Sequence, residues 1–149
     1  EEQGELVGMM HDIGKYSDGF QRRIMDSGPK VDHATAGAYE CALRNQVYAA
    51  FCIAGHHSGL PDLGSTGDRE EGTLRGRLNR AFQHEIPDYS AWAEEVRVPD
   101  AAVPQFPPGD VALSEAFFIT SAMFSKSASF IGIPIFCSVV TAHGWWPVS

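Results

Sequence analysis

Met9-Met10-His11-Asp12-Ile13-Gly14-Lys15-Tyr16-Ser17-Asp18-Gly19-Phe20 is the stretch that decides how the chain is read. Apolar Leu6, Val7, Met9 and Met10 lead into it as one buried helical turn, and the spacing predicts a helix over residues 6–15. An imidazole and a carboxylate at the end of such a turn need partners, because burying either one unpaired is costly. A metal ion answers both at once. Imidazole and carboxylate ligate divalent transition metals, and a carboxylate can bridge two of them. Gly14 stands where a helix would stop, and Lys15 follows with a mobile positive charge.

Working outward, Ser17-Asp18-Gly19 predicts the cap of a short second helix with Phe20 and Ile24 on one face. Gly28-Pro29 stops it. Asp32 precedes His33-Ala34-Thr35-Ala36-Gly37-Ala38-Tyr39, a small-residue helix start that permits close packing. A third apolar helix over Val47–Ala54 closes on Gly55-His56-His57-Ser58-Gly59. Adjacent residues on a regular helix diverge by about 100°, so His56 and His57 face one point only where the helix ends. Residues 60–72 read as a long surface loop. Residues 74–82 read as a helix carrying Arg75, Arg77 and Arg80, a solvated face or, alternatively, a phosphate-facing rim. Residues 89–96 predict a short helix, 98–109 an irregular proline-rich stretch, and 113–118 the start of a final helix. No strand alternation persists, so the expected fold is all-α.

At 149 residues, 44% apolar and 20% charged, the sequence has the size and composition of one domain or a piece of a larger one. The net charge of −8 argues against a domain that holds nucleic acid by broad phosphate contacts on its own. It leaves room for chemistry on phosphates, since bound cations supply local positive charge. Cys41, Cys52 and Cys137 have no paired spacing, so a disulfide framework is not expected and a reducing cytoplasm is. The opening Glu1-Glu2-Gln3-Gly4-Glu5 has no basic segment of a signal peptide, and it opens almost directly on a helix, as a chain cut at its N-terminus would.

His11-Asp12, His33 and His56-His57 therefore stand at three helix ends that can converge. H-D-I-G-K with F-Q shortly after, then D-H-x-T-x-G, then G-H-H-x-G, resembles the HD-domain nuclease of the type I CRISPR-associated nuclease/helicase family, within the HD phosphohydrolase superfamily. The resemblance covers roughly residues 5–118 and implies an HD-domain helical bundle with long irregular loops. It implies His11 as a ligand of one metal, Asp12 as the carboxylate bridging both, and His33, His56 and His57 as imidazoles of the second. It places Lys15 near the scissile phosphate. The cofactors implied are divalent transition metal ions, two in the complete domain, and an imidazole-rich set suits Mn, Fe, Co or Ni. The activity implied is phosphodiester hydrolysis of single-stranded DNA in CRISPR interference. The partners implied are a helicase domain or subunit, which delivers the strand, and the CRISPR surveillance complex; no membrane is involved.

Two features of the family have no counterpart here. Its histidine on a helix upstream of H-D falls before the start of this sequence. Its aspartate after a motif resembling Ala116-Phe117-Phe118 is absent, because Ile119–Ser125 and every later position lack one. All 19 acidic residues lie at or before Glu115, and Lys126 is the only charged side chain from Phe117 to Ser149. Residues 1–118 thus read as an HD domain incomplete at its N-terminus. Residues 119–149 read as an atypical apolar tail, either frame-shifted or divergent, with 130–142 too short for a confident membrane span. Two alternatives stand beside the nuclease: an HD phosphohydrolase acting on nucleotides or small phosphates, and a catalytically inactive scaffold or gene remnant.

Overall fold

The computed structural model describes residues 2–26 and 28–104. Within them the order is α1 (Glu2–Met10), a 3₁₀ turn (Ile13–Tyr16), α2 (Asp18–Asp26), α3 (Ala34–Leu43), α4 (Val47–Gly55), α5 (Leu74–Phe82) and α6 (Trp92–Glu95). The fold is all-α; the only β-type pairing among the described residues is an isolated bridge between Asp62 and Thr73. The expected helix at 113–118, the apolar tail and the domain boundary after 118 lie outside the described residues. No helix among the described residues is long and apolar enough to cross a membrane.

The antiparallel pair α3–α4 is the frame on which the other elements rest. Its contact faces are built from small side chains: Ala34, Ala36, Ala38 and Cys41 on α3, and Ala49, Ala50, Cys52 and Ala54 on α4, all buried. Small residues let two helices approach closely, which brings their ends, and the histidines beyond them, to one side. The turn between them is set by Asn45 in the left-handed region at φ 59. Gln46 N–H donates to the Cys41 carbonyl at 2.9 Å and Asn45 N–H to that of Ala42 at 2.9 Å, which answers the last carbonyls of α3. Leu6, Val7 and Met10 of α1, Ile53 of α4, Leu74 of α5 and Trp92 of α6 complete the core.

The first helix departs from the sequence expectation. It begins at Glu2 and ends at Met10 rather than running over 6–15. Residues 11–12 form a turn, and i→i+3 bonds take over, Lys15 N–H to the Asp12 carbonyl at 2.9 Å and Ser17 N–H to that of Gly14 at 3.2 Å. Gly14 is not the helix terminator. A Cβ there would stand 2.6 Å from the His33 Cα, so glycine is required by the close approach of the 3₁₀ turn to the start of α3. Gly37 plays the reciprocal part: a Cβ on it would press on the Met10 backbone and on Ile53 Cγ2 at 3.0 Å. The last helix among the described residues is also shorter than expected, Trp92–Glu95 instead of 89–96. Asp88 accepts the Ser90 N–H at 2.9 Å and holds the preceding residues in a turn.

The loop over 60–72 is tied to α5 along its length. Leu74 N–H donates to the Asp62 carbonyl at 2.8 Å and Arg75 N–H to that of Leu63 at 3.0 Å. Asn79 Nδ2 donates to the Thr66 carbonyl at 3.0 Å and to the Asp68 carbonyl at 2.7 Å. Thr73 caps α5 by accepting the Gly76 N–H at 3.0 Å.

Candidate metal centre

Three breaks in helical structure meet at one point. Asp12 comes from the turn after α1, His33 from the residue before α3, and His56 and His57 from the end of α4. One ligand atom from each of Asp12, His33, His56 and His57 lies within 4.8 Å of all the others. Asp12 Oδ1 is 3.5 Å from His33 Nε2 and 3.8 Å from His56 Nε2, and His33 Nε2 is 2.8 Å from His57 Nε2. Donors bound at about 2.0–2.2 Å to one ion lie roughly 3–4 Å from each other; the Asp12 spacings of 3.5 and 3.8 Å fall in that range, and the 2.8 Å His33–His57 contact would have to widen around an ion. His56 and His57 share the point because α4 has ended. Gly59 N–H turns back to the Gly55 carbonyl at 2.8 Å, with Gly59 at φ 86, and the two rings stand 3.9 Å apart.

Backbone carbonyls fix which imidazole nitrogen faces inward. His56 Nδ1 is 2.6 Å from the Ile53 carbonyl and must carry the proton, because a carbonyl only accepts. That leaves the Nε2 lone pair toward Asp12. His33 Nδ1 stands 3.5 Å from the Val31 carbonyl in the same sense. His11 Nδ1 donates to the Gly8 carbonyl at 2.8 Å. Both i−3 contacts, His11 to Gly8 and His56 to Ile53, use carbonyls of a helix's last turn; that of Ile53 also takes the His56 N–H at 3.4 Å. Carbonyl-to-imidazole contacts of this kind orient metal-binding histidines. The residue types at the site are legible in the sequence; this orientation is not, since it needs the helix ends placed to within a residue.

Asp12 divides its two oxygens between different tasks. Oδ2 takes Lys15 Nζ at 2.7 Å and His11 Nε2 at 2.9 Å. Oδ1 faces His33 and His56. The structure thus brings Asp12, His33, His56 and His57 to one centre and sets His11 and Lys15 on the other side of the carboxylate. Phe20 packs edge-on against His33 at 5.0 Å, with Lys15 Nζ 5.8 Å from its ring centre. Its role against His33 has no separate signal in the sequence, where Phe20 reads as part of the α2 face.

Two of the three buried side-chain polar atoms without a hydrogen-bond partner among the described residues are Asp12 Oδ1 and His56 Nε2. Leaving such atoms unanswered costs about 1–3 kcal/mol each. Protonation states favour a cation as the answer. Burial works to raise the Asp12 carboxyl, but hydrogen bonds from His11 and Lys15, with their charges, hold it well below the usual carboxylate range. Burial pushes the His56 imidazole down to about 4, and lowers those of His33 and His57. An anionic carboxylate and neutral imidazoles at neutral pH are the forms in which these groups bind metal.

The arginines of α5 are committed elsewhere. Arg77 donates to the carbonyls of Glu71 at 2.6 Å and Ala54 at 3.0 Å, Arg80 pairs with Glu71 at 2.5 Å, and Arg75 reaches the Gly64 carbonyl at 3.4 Å. They fasten the 60–72 loop. No family model, no curated protein and no solved structure matches the chain.

Proposed function

We propose that the chain holds a divalent transition metal ion between Asp12, His33, His56 and His57 and serves in metal-dependent hydrolysis of single-stranded DNA, as its resemblance to the CRISPR-associated HD nucleases implies. The observation that carries the reading is the pair of buried atoms without a partner among the described residues, Asp12 Oδ1 and His56 Nε2, 3.8 Å apart, with the Nδ1 atoms of His33 and His56 beside carbonyls. Three imidazoles and one carboxylate suit Mn, Fe, Co or Ni better than Mg or Ca. A bound ion would supply an activated water and charge neutralisation at a phosphate.

The chain's own groups divide the remaining tasks. His33 and His56 present Nε2 because carbonyls hold their Nδ1 atoms. His11 and Lys15 keep Asp12 anionic and fix the direction of Oδ1. Lys15, whose side chain is 40% exposed, stands beside the centre where its ammonium can meet a phosphate oxygen and stabilise developing charge. His57 is exposed, so the centre opens to solvent on that side, which accommodates an internal phosphodiester of a polymer. A helicase domain or subunit and the CRISPR surveillance complex would deliver the strand, in the cytoplasm. A second ion would sit on the His11 side of Asp12, as the resemblance implies.

Metal analysis of the purified protein, followed by cleavage assays on single-stranded DNA and on free nucleotides with added Mn, Co or Ni, tests the reading. Bound metal with cleavage of DNA in preference to nucleotides is expected. A chain that takes up no ion overturns the reading; hydrolysis of nucleotides alone replaces it with a small-phosphate hydrolase.

A further inference from the structure

His33 has a structural problem that its neighbours solve. It is the residue before α3, where the first N–H groups of the helix need an acceptor, and a side chain at that position ordinarily supplies one. The His33 imidazole makes no such bond because it faces the centre. Asp32 takes over from one residue upstream. Its Oδ1 accepts the N–H groups of Ala34 at 3.0 Å and Thr35 at 3.2 Å, and its Oδ2 accepts the Thr35 hydroxyl at 2.5 Å. Thr35 is only 1% exposed, so the pair is anchored in the core. The chain is thereby clamped on both sides of His33, while the 3₁₀ turn at Gly14 lies directly against the His33 backbone.

We propose that Asp32, held by Thr35, is a positioning residue for His33: it relieves the imidazole of capping and sets the ring toward Asp12 and His57. The inference rests on the metal reading for its consequence, but the ring position exists without an ion. Two of the motif's non-ligand residues then have a stated purpose beyond helix stability.

The test compares Asp32→Ala, Asp32→Asn, Thr35→Val and Thr35→Ser, each alone and on a His33→Ala background. Asparagine keeps the acceptor for both N–H groups, and serine keeps the hydroxyl. Metal affinity is read by competition with a chromophoric chelator using Co or Ni. Asp32→Ala is expected to weaken binding about tenfold or more, the usual effect of losing a group that orients a ligand. Asp32→Asn and Thr35→Ser should stay within about twofold of the parent. On the His33→Ala background, Asp32→Ala should cause no further loss; a merely structural role would lower affinity there as well. In the metal-free protein, NMR cross-relaxation between the His33 and His57 rings, whose centres are 4.8 Å apart, should vanish in Asp32→Ala and persist in Asp32→Asn. If Asp32→Ala does not fold, Thr35→Val, which removes one bond and keeps the volume, carries the same comparisons. Affinity and ring contact both unchanged in Asp32→Ala, or an equal loss on the His33→Ala background, overturns the proposal. Should the parent bind no metal, the centre fails as a metal site while the ring contact still decides the role of Asp32.

Discussion

Two regions lean on the same α3–α4 pair and treat their polar groups in opposite ways. Around α5, the arginines, Asn79 and Asp68 are answered by carbonyls, by Glu71 or by Ser65, and the result is a fastened loop. Around Asp12 the backbone is held as closely, yet Asp12 Oδ1 and His56 Nε2 have no partner among the described residues. Folding alone would favour satisfying both regions. The difference sets the two regions apart: the α5 arginines spend their donors on the fold, whereas the cluster around Asp12 could hold a metal ion.

The strongest way to break this comparison is Asp12→Ala. It removes the centre's one carboxylate among the described residues and separates the imidazoles from Lys15 and His11. Metal content measured after dialysis should fall to background, and any cleavage of single-stranded DNA should go with it. Cleavage undiminished in this variant would place the activity elsewhere.

Lys15→Ala should be next in size, and it separates binding from chemistry. An ammonium cannot ligate an ion while protonated, so metal content should fall only as far as Asp12 misses its 2.7 Å partner, and by less than turnover does. Loss of one charge-stabilising donor costs roughly 10²-fold in turnover, read as single-turnover cleavage at saturating Mn. An equal loss of metal would make Lys15 a support for Asp12 only.

Arg77→Ala probes the other region. Losing a charged donor to the Glu71 and Ala54 carbonyls should destabilise the fold by about 1–3 kcal/mol. Denaturant titration should show this with metal affinity unchanged. A drop in DNA affinity at unchanged stability would restore the phosphate-facing rim.

How far the sequence reaches is visible in these same residues. The small-residue start of α3, the apolar α4 and the three helix ends that carry the candidate ligands are legible in the sequence, and the structure brings Asp12, His33, His56 and His57 together. The end of α1 does not follow. Gly14 reads as a stop signal in one dimension, whereas its real constraint is contact with His33, nineteen residues away in the chain. The α5 arginines look free in the sequence because their acceptors are mostly main-chain carbonyls, which every sequence contains and none announces. Long-range backbone approach and carbonyl direction are what local pattern omits.

The smallest expected effect concerns the frame that both regions share. Cys41 and Cys52 are fully buried on the facing surfaces of α3 and α4. Burial pushes the Cys41 thiol from 9.0 up to about 12. Only thiolate is alkylated, so at pH 8 roughly one Cys41 in 10⁴ is reactive even before access is considered. Because folding raises this pKa, its stabilising effect is complete below the ordinary value of 9.0 and is lost as pH climbs toward 12. Iodoacetamide at pH 8 should therefore leave Cys41 unlabelled in the folded protein, as read by peptide mass spectrometry, and label it fully in denaturant. Fast labelling of the native chain would mean that α3 and α4 part locally. The fastened loop and the imidazole centre would then have no rigid support in common, and the contrast between them would lose its basis.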